Sequence, residues 1–277
     1  AMETVKERKL AGRLVRRRRA GERGIKKVYL LPNLFTTGNI ASGVLSILFT
    51  VQGRLSWAAY AILVGCVCDL LDGRIARLTR TGSAFGVNYD SLSDLVTFGV
   101  APGALMFQFF QRPGDKFLLP VVLIYTVCCA LRLARFNVQA STTEKRGFRG
   151  LPTPAPAALI ATLFLCVLLP EPPLVTLEAR FAGLVMQVLA LALAGLMVSE
   201  IPYPAVDARL FRRRHPFHYL VLLLMVVSFA IANPALTIFL VSSAYILYGP
   251  ARLLARSRLR RSVAVPGEVD AVSHSEK

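Results

Sequence analysis

The chain has 277 residues, 55% of them hydrophobic, with a mean hydropathy of +0.54 and a formal net charge of +17. This excludes an ordinary soluble domain and fits a polytopic membrane protein with basic loops. Nucleic-acid binding, the other reading of so much positive charge, is not expected: the charges flank apolar runs and form no recognisable nucleic-acid module.

The chain opens on a basic arm, residues 1–30. Its stretch KERKLAGRLVRRRRAGERGIKK reads in two ways. It is an amphipathic surface helix bearing Leu10, Leu14 and Val15 and drawn to anionic headgroups, or it is a topology signal alone. It lacks the short charged region and apolar core of a cleavable signal peptide.

A helix needs about 20 apolar residues to cross a bilayer core. Eight spans are predicted, at 33–53, 57–79, 84–110, 117–139, 151–169, 175–198, 217–232 and 234–252. Asn233-Pro234 marks a tight turn between the last two, or the tip of a re-entrant pair. The fold class is therefore all-α and polytopic. The predicted organisation is a core of six spans over 31–200, a loop with two additional spans over 201–253, and a basic, disordered tail over 254–277.

Lys and Arg set the orientation. With the N-terminus inside, the inner segments carry the basic arm, Arg74, Arg77, Arg80, Arg132, Arg135, Lys145, Arg146, Arg149, the stretch from Arg209 to Arg214 and that from Arg252 to Arg261. The outer segments carry only Arg54, Arg112, Lys116 and Arg180. Both termini are expected to be cytoplasmic, and Trp57 then sits in the outer aromatic belt. Cys66, Cys68, Cys128, Cys129 and Cys166 all lie in apolar runs without zinc-ligand spacing, so they read as small packing residues.

The chemistry concentrates in CDLLDGRIARLTRTGSAFGVNYDSLSD, which spans the second and third segments. An intramembrane carboxylate is costly and marks an ion or substrate site. Asp69 and Asp72 are three apart and share one helix face, differing in height by about 4.5 Å. Asp90 and Asp94 are four apart and share another. Two antiparallel neighbours thus bring four carboxylates to one depth, toward the cytoplasmic side. Four like charges there need protonation, arginine partners or metal. A salt-bridge network with Arg74, Arg77 and Arg80 is one solution. Divalent metal accounts for the cluster better, because hard oxygen ligands select Mg²⁺ or Mn²⁺. Two such ions clamp a phosphoryl group in an in-line displacement. Gly73, Ala76 and Gly86 leave room beside the acids, for helix packing or for a ligand.

The pattern Asp69-x2-Asp72-Gly73-x2-Ala76-Arg77-x8-Gly86-x3-Asp90-x3-Asp94 resembles the signature of the CDP-alcohol phosphatidyltransferases, with every position filled. The resemblance implies a membrane enzyme with a CDP-linked lipid substrate, two divalent ions and a cytoplasm-facing site. It implies Asp69, Asp72 and Asp90 as metal ligands, Asp94 as ligand and general base, and Gly73, Ala76, Arg77 and Gly86 as the lining for nucleotide and pyrophosphate. It also implies a homodimer.

Four further stretches, LPNLFTTGNIASG, SLSDLVTFGVAPG, LRLARFN and FRGLPTPAPA, resemble the phosphatidylserine synthase branch of that family. That implies CDP-diacylglycerol and L-serine as substrates, and phosphatidylserine and CMP as products. A serine carboxylate calls for a cation, and Arg132, Arg135 and Arg149 are the candidates, each also serviceable as a positive-inside anchor. Ser93 is a weaker candidate beside the acids. Asn33, Thr36, Thr37 and Asn39 give the first span a polar end that holds the cytidine-phosphate part or else bonds neighbouring helices. Glycerol 3-phosphate or an inositol phosphate as acceptor is the alternative within the class. A divalent-cation transporter is the alternative outside it, and the lack of a visible inverted repeat counts against that. His215, His218 and His274 lie away from the acids, and no Ser or Cys has an evident base, so direct displacement without a covalent enzyme intermediate is expected.

Overall fold

The structure, a computed structural model, describes residues 33–79, 84–111, 115–141, 150–168, 179–201, 203, 224 and 228–263. Among these residues the fold is helical throughout. In chain order the helices are α1 (Asn33–Val51), α2 (Leu55–Thr79), α3 (Ala84–Phe110), α4 (Leu118–Ser141), α5 (Pro154–Leu163), α6 (Ala179–Val198) and α7 (Pro234–Val263). All but α5 carry an apolar stretch of 18 to 27 residues, long enough to cross a bilayer, so the chain is a multi-pass membrane protein. The apolar part of α5, Pro154–Cys166, is shorter. The predicted span 217–232 falls mostly outside the described residues, as do the basic arm and the C-terminal tail.

Local sequence explains the joints. Gly53 adopts φ +74°, the left-handed conformation that ends a helix cheaply only with glycine, and it closes α1 into the turn before α2. The α3 helix widens into a π segment at Leu95–Val100, directly after Asp94. Such insertions recur at functional sites because they re-aim the residues on either side. Pro102 follows and has no N–H for the Phe98 carbonyl one turn earlier. The fully buried Tyr125 hydroxyl of α4 donates to that carbonyl at 3.0 Å. The same device appears in α7. Pro250 has no N–H for the Ile246 carbonyl, and the Tyr203 hydroxyl donates there at 3.2 Å.

Small residues set the helix spacing, as expected where lipid offers no hydrophobic drive for helices to associate. A Cβ on Gly43 or on Gly65 would collide with Thr97, so α1, α2 and α3 touch nearly backbone to backbone. Phe109, Phe110 and Phe164 form an edge-on aromatic cluster with centroids 4.9–6.0 Å apart. Large apolar side chains such as Leu48, Val64, Leu123, Val127, Leu184 and Val241 point outward, which suits acyl chains as solvent. The start of α1, the end of α2, the start of α3, the end of α4 and the start of α5 meet at one end of the bundle. The polar residues gather there.

Candidate active site

The acids are placed by two helix ends. Asp69 and Asp72 lie in the second half of α2, and Asp90 and Asp94 in the first half of α3. One carboxylate oxygen from each of Asp69, Asp72 and Asp90 falls within 4.8 Å of the others, a spacing suited to metal ligation. Asp72 and Asp94 are buried, while Asp69 and Asp90 are half-buried. Asp94 sits beside this trio, interacting with Asp69, and so extends the cluster to four.

The first helix holds the acids in place. Thr36 Oγ1 donates to Asp72 Oδ2 at 3.0 Å, and Asn39 Nδ2 donates to Asp94 Oδ1 at 3.0 Å. The backbone joins in: Ser93 Oγ donates to the Thr36 carbonyl at 3.1 Å and Thr97 Oγ1 to the Asn39 carbonyl at 2.9 Å. Thr37 shares a hydrogen bond of 3.0 Å with the Tyr89 hydroxyl, and it donates to the Asn33 carbonyl at 2.7 Å. Thr36 and Asn39 thus stand at the acids. Ser93 is fully buried with its hydroxyl engaged by α1. Gly73, Ala76 and Gly86 are half-buried on the helix turns around the acids. Arg77 follows on α2, and its side chain lies outside the described residues, as does Arg149.

Neutral donors such as Thr36 and Asn39 do not neutralise four carboxylates. Asp90 Oδ1 is buried and meets no hydrogen-bond partner among the described residues. An orphaned carboxylate oxygen inside a trio of hard oxygen donors fits a divalent cation. Asp69, Asp72, Asp90 and Asp94 are the residues able to hold one.

The basic candidates separate. Arg132 of α4 is half-buried and faces the acids, in electrostatic contact with Asp69 and Asp94. Its Nη1 donates to Thr153 Oγ1 at 3.0 Å, and no carboxylate among the described residues reaches it at ion-pair distance. Arg135, one turn on, is spent elsewhere: it pairs with Glu200 at 3.1 Å and donates to the Val198 carbonyl at 3.4 Å. Sequence reasoning did not single out Thr153, Asn137 or Tyr89. Asn137 accepts from Ser91 at 3.0 Å. Thr153 and Asn137 lie in two stretches that carried the branch resemblance, which was the available signal. Tyr89 sits between two of the acids with nothing in its spacing to mark it.

A cluster of carboxylates able to hold a divalent cation, with Arg132 beside it at one end of a membrane bundle, suits chemistry on an anionic, metal-bound substrate. A family model described as CDP-alcohol phosphatidyltransferase matches residues 29–199. The chain is 35% identical over 230 residues to the CDP-diacylglycerol--serine O-phosphatidyltransferase of Helicobacter pylori, covering 83% of this chain and 93% of that one. It is 35% identical over 192 residues to the archaetidylserine synthase of Methanothermobacter thermautotrophicus, 67% and 74% of the two chains. It is 34% identical over 187 residues to the CDP-diacylglycerol--serine O-phosphatidyltransferase of Methanocaldococcus jannaschii, 68% and 80% of the two. The chain belongs to the CDP-alcohol phosphatidyltransferase family.

Proposed function

We propose that the chain transfers the phosphatidyl group of CDP-diacylglycerol to the hydroxyl of L-serine, releasing phosphatidylserine and CMP at the cytoplasmic face of the cell membrane. The observation that carries this reading is Arg132, a half-buried cation in electrostatic contact with Asp69 and Asp94 but at ion-pair distance from no carboxylate among the described residues. The relatives support it: their names differ in the lipid and agree in serine.

When bound by Asp69, Asp72, Asp90 and Asp94, a pair of Mg²⁺ or Mn²⁺ ions offsets the charge on the pyrophosphate and on departing CMP. Asn39 fixes Asp94 through Oδ1, which leaves Oδ2 to accept the serine hydroxyl proton. Arg132 takes the serine carboxylate and so aims the hydroxyl at the β-phosphorus. The serine oxygen forms its bond to phosphorus as the bond to the CMP oxygen breaks, with Asp94 keeping the proton. Gly73, Ala76, Arg77 and Gly86 line the nucleotide and pyrophosphate, and the polar start of α1 from Asn33 closes that side. Residues 31–200 form the catalytic core, and the chain works as a homodimer. The basic loops support a site facing the cytoplasm, by the positive-inside rule.

An acceptor panel tests the reading. With CDP-diacylglycerol in mixed micelles and Mg²⁺ or Mn²⁺, serine releases CMP faster than glycerol 3-phosphate or inositol phosphate. Faster release with glycerol 3-phosphate overturns the serine assignment and leaves the family membership intact.

A further inference from the structure

The start of α5 has few backbone donors to spare. Thr153 stands at its N-cap, where a threonine hydroxyl ordinarily accepts from the second or third N–H of the helix. Here the third residue, Pro156, has no N–H, and neither has Pro154. The N–H between them, that of Ala155, donates to the Pro152 carbonyl at 3.1 Å. Thr153 makes no cap bond with its side chain, and its fully buried hydroxyl accepts instead from Arg132 Nη1 at 3.0 Å. The threonine is placed from outside its own helix. Gly150 N–H donates to the Ile201 carbonyl at 2.9 Å and Leu151 N–H to the Leu196 carbonyl at 3.1 Å, which ties the turn at 150–153 to the end of α6. Gly150 needs its φ of +87° for this, because a Cβ there would run into the Met197 carbonyl. The same turn touches the acid-bearing helix. Cys66 of α2 lies one turn before Asp69 on the same face, and its thiol donates to the Pro154 carbonyl at 3.9 Å. On the other side, α4 packs on the acid-bearing start of α3 and on the π segment that follows it. Contacts on both sides thus set the pair of Arg132 and Thr153 beside the acids.

We propose that Thr153 is a positioning residue for the acceptor. The prolines on either side of Ala155 free its hydroxyl from capping, and the hydroxyl takes one N–H of Arg132 at Nη1. That leaves the guanidinium edge formed by Nε and Nη2 for the two oxygens of a carboxylate. A long side chain already held at its tip loses less freedom on meeting a planar anion, so the benefit falls on acceptor binding. An acceptor without a carboxylate gains nothing from it, and the turn before α5 therefore helps to set acceptor choice. This inference rests on the serine reading.

Steady-state kinetics of the full-length chain in mixed micelles test it, with serine and with ethanolamine, which is serine without its carboxylate. Thr153→Val removes the hydroxyl and keeps the shape, and Thr153→Ala removes it with a smaller side chain. In both, the serine KM rises about tenfold, which corresponds to about 1.4 kcal/mol. The CDP-diacylglycerol KM stays within about twofold, and the preference for serine over ethanolamine shrinks by the same tenfold. Thr153→Ser returns the hydroxyl and keeps the serine KM within about twofold of wild type. In an Arg132→Ala background Thr153→Val raises the serine KM no further, because the hydroxyl acts through the guanidinium. An unchanged serine KM in either folded variant without the hydroxyl overturns the inference while the wild type still rejects ethanolamine. An equal rise in Thr153→Ser overturns it too, since packing of the turn rather than the hydroxyl is then at work. A full further rise in the Arg132→Ala background overturns the positioning role, since the hydroxyl then acts without the arginine. A wild type that accepts ethanolamine as readily as serine overturns the serine reading and this inference with it.

Discussion

The two sides of the site are built differently. The acidic side comes from one short stretch, Asp69 to Asp94, on adjacent helices joined by one loop, with α1 bonded across it. The basic side comes from three distant places: Arg132 on α4, Thr153 before α5, and the end of α6, which bonds the turn before Thr153. Metal chemistry needs several carboxylate oxygens within a few ångströms, and neighbouring helix turns provide that spacing directly. Acceptor recognition needs one cation held at the right angle, and that takes support from all round. Changes on the acidic side should therefore remove catalysis, and changes on the basic side should alter selectivity.

The largest effect belongs to the acids. Asp69→Asn, Asp72→Asn or Asp90→Asn keeps the shape and removes a charged ligand, and CMP release should fall by about three orders of magnitude, within reach of a lost metal or charge-stabilising group. A chelator should silence the wild type. The metal-free variants should melt no lower than the metal-free wild type, since each substitution relieves like-charge repulsion. Full activity after chelation would break the comparison at its base.

Next comes Arg132→Ala, which should raise the serine KM about a hundredfold, the cost of losing one partner of a buried charge pair. The lipid KM should move little. If both KM values rise together, Arg132 serves the pyrophosphate and the two sides are not separate.

Asn39→Leu probes the seam between the sides. It removes the donor that fixes Asp94 and keeps most of the volume. A hydrogen bond to a charged group is worth about 1.5–3 kcal/mol, so kcat should drop about tenfold or more. Both KM values should stay near wild type. A change confined to the lipid KM would instead make Asn39 a nucleotide contact.

The same contrast explains how far the sequence could be read. The acids were legible because their spacing of three and four is helical and because carboxylates in apolar runs are costly enough to demand a reason. The long helices were legible for a similar reason, since about 20 apolar residues carry the signal by themselves. The π segment after Asp94 was not, because nothing in the run Leu95 to Val100 marks where a helix widens. Arg132 and Arg135 looked alike in sequence, and their partners tell them apart: Thr153 for the first, Glu200 and the Val198 carbonyl for the second.

The smallest effect is expected at Arg135, and it checks whether nearness to the site is enough to matter. Arg135 stands one turn from Arg132, yet its guanidinium is bound to Glu200 and to the Val198 carbonyl, on a more exposed face of α4. Its partner Glu200 is 69% exposed, so water screens the pair and the two side chains lose freedom in forming it. Such pairs are worth about 0–1 kcal/mol. Arg135→Ala should therefore leave the serine KM within about twofold of wild type, in line with a coupling of that size. A double-mutant cycle with Glu200→Ala, read by thermal unfolding in detergent, should give a coupling energy below about 1 kcal/mol that shrinks further in high salt. The cycle is informative because each substitution exposes rather than buries the remaining partner. A serine KM that climbs tenfold in Arg135→Ala, and is restored in the double variant, would mean that the ion pair clamps the end of α6 against α4 and orients Arg132 through the turn at 150–153. The basic side would then extend one layer further out than the contacts of Arg132 imply.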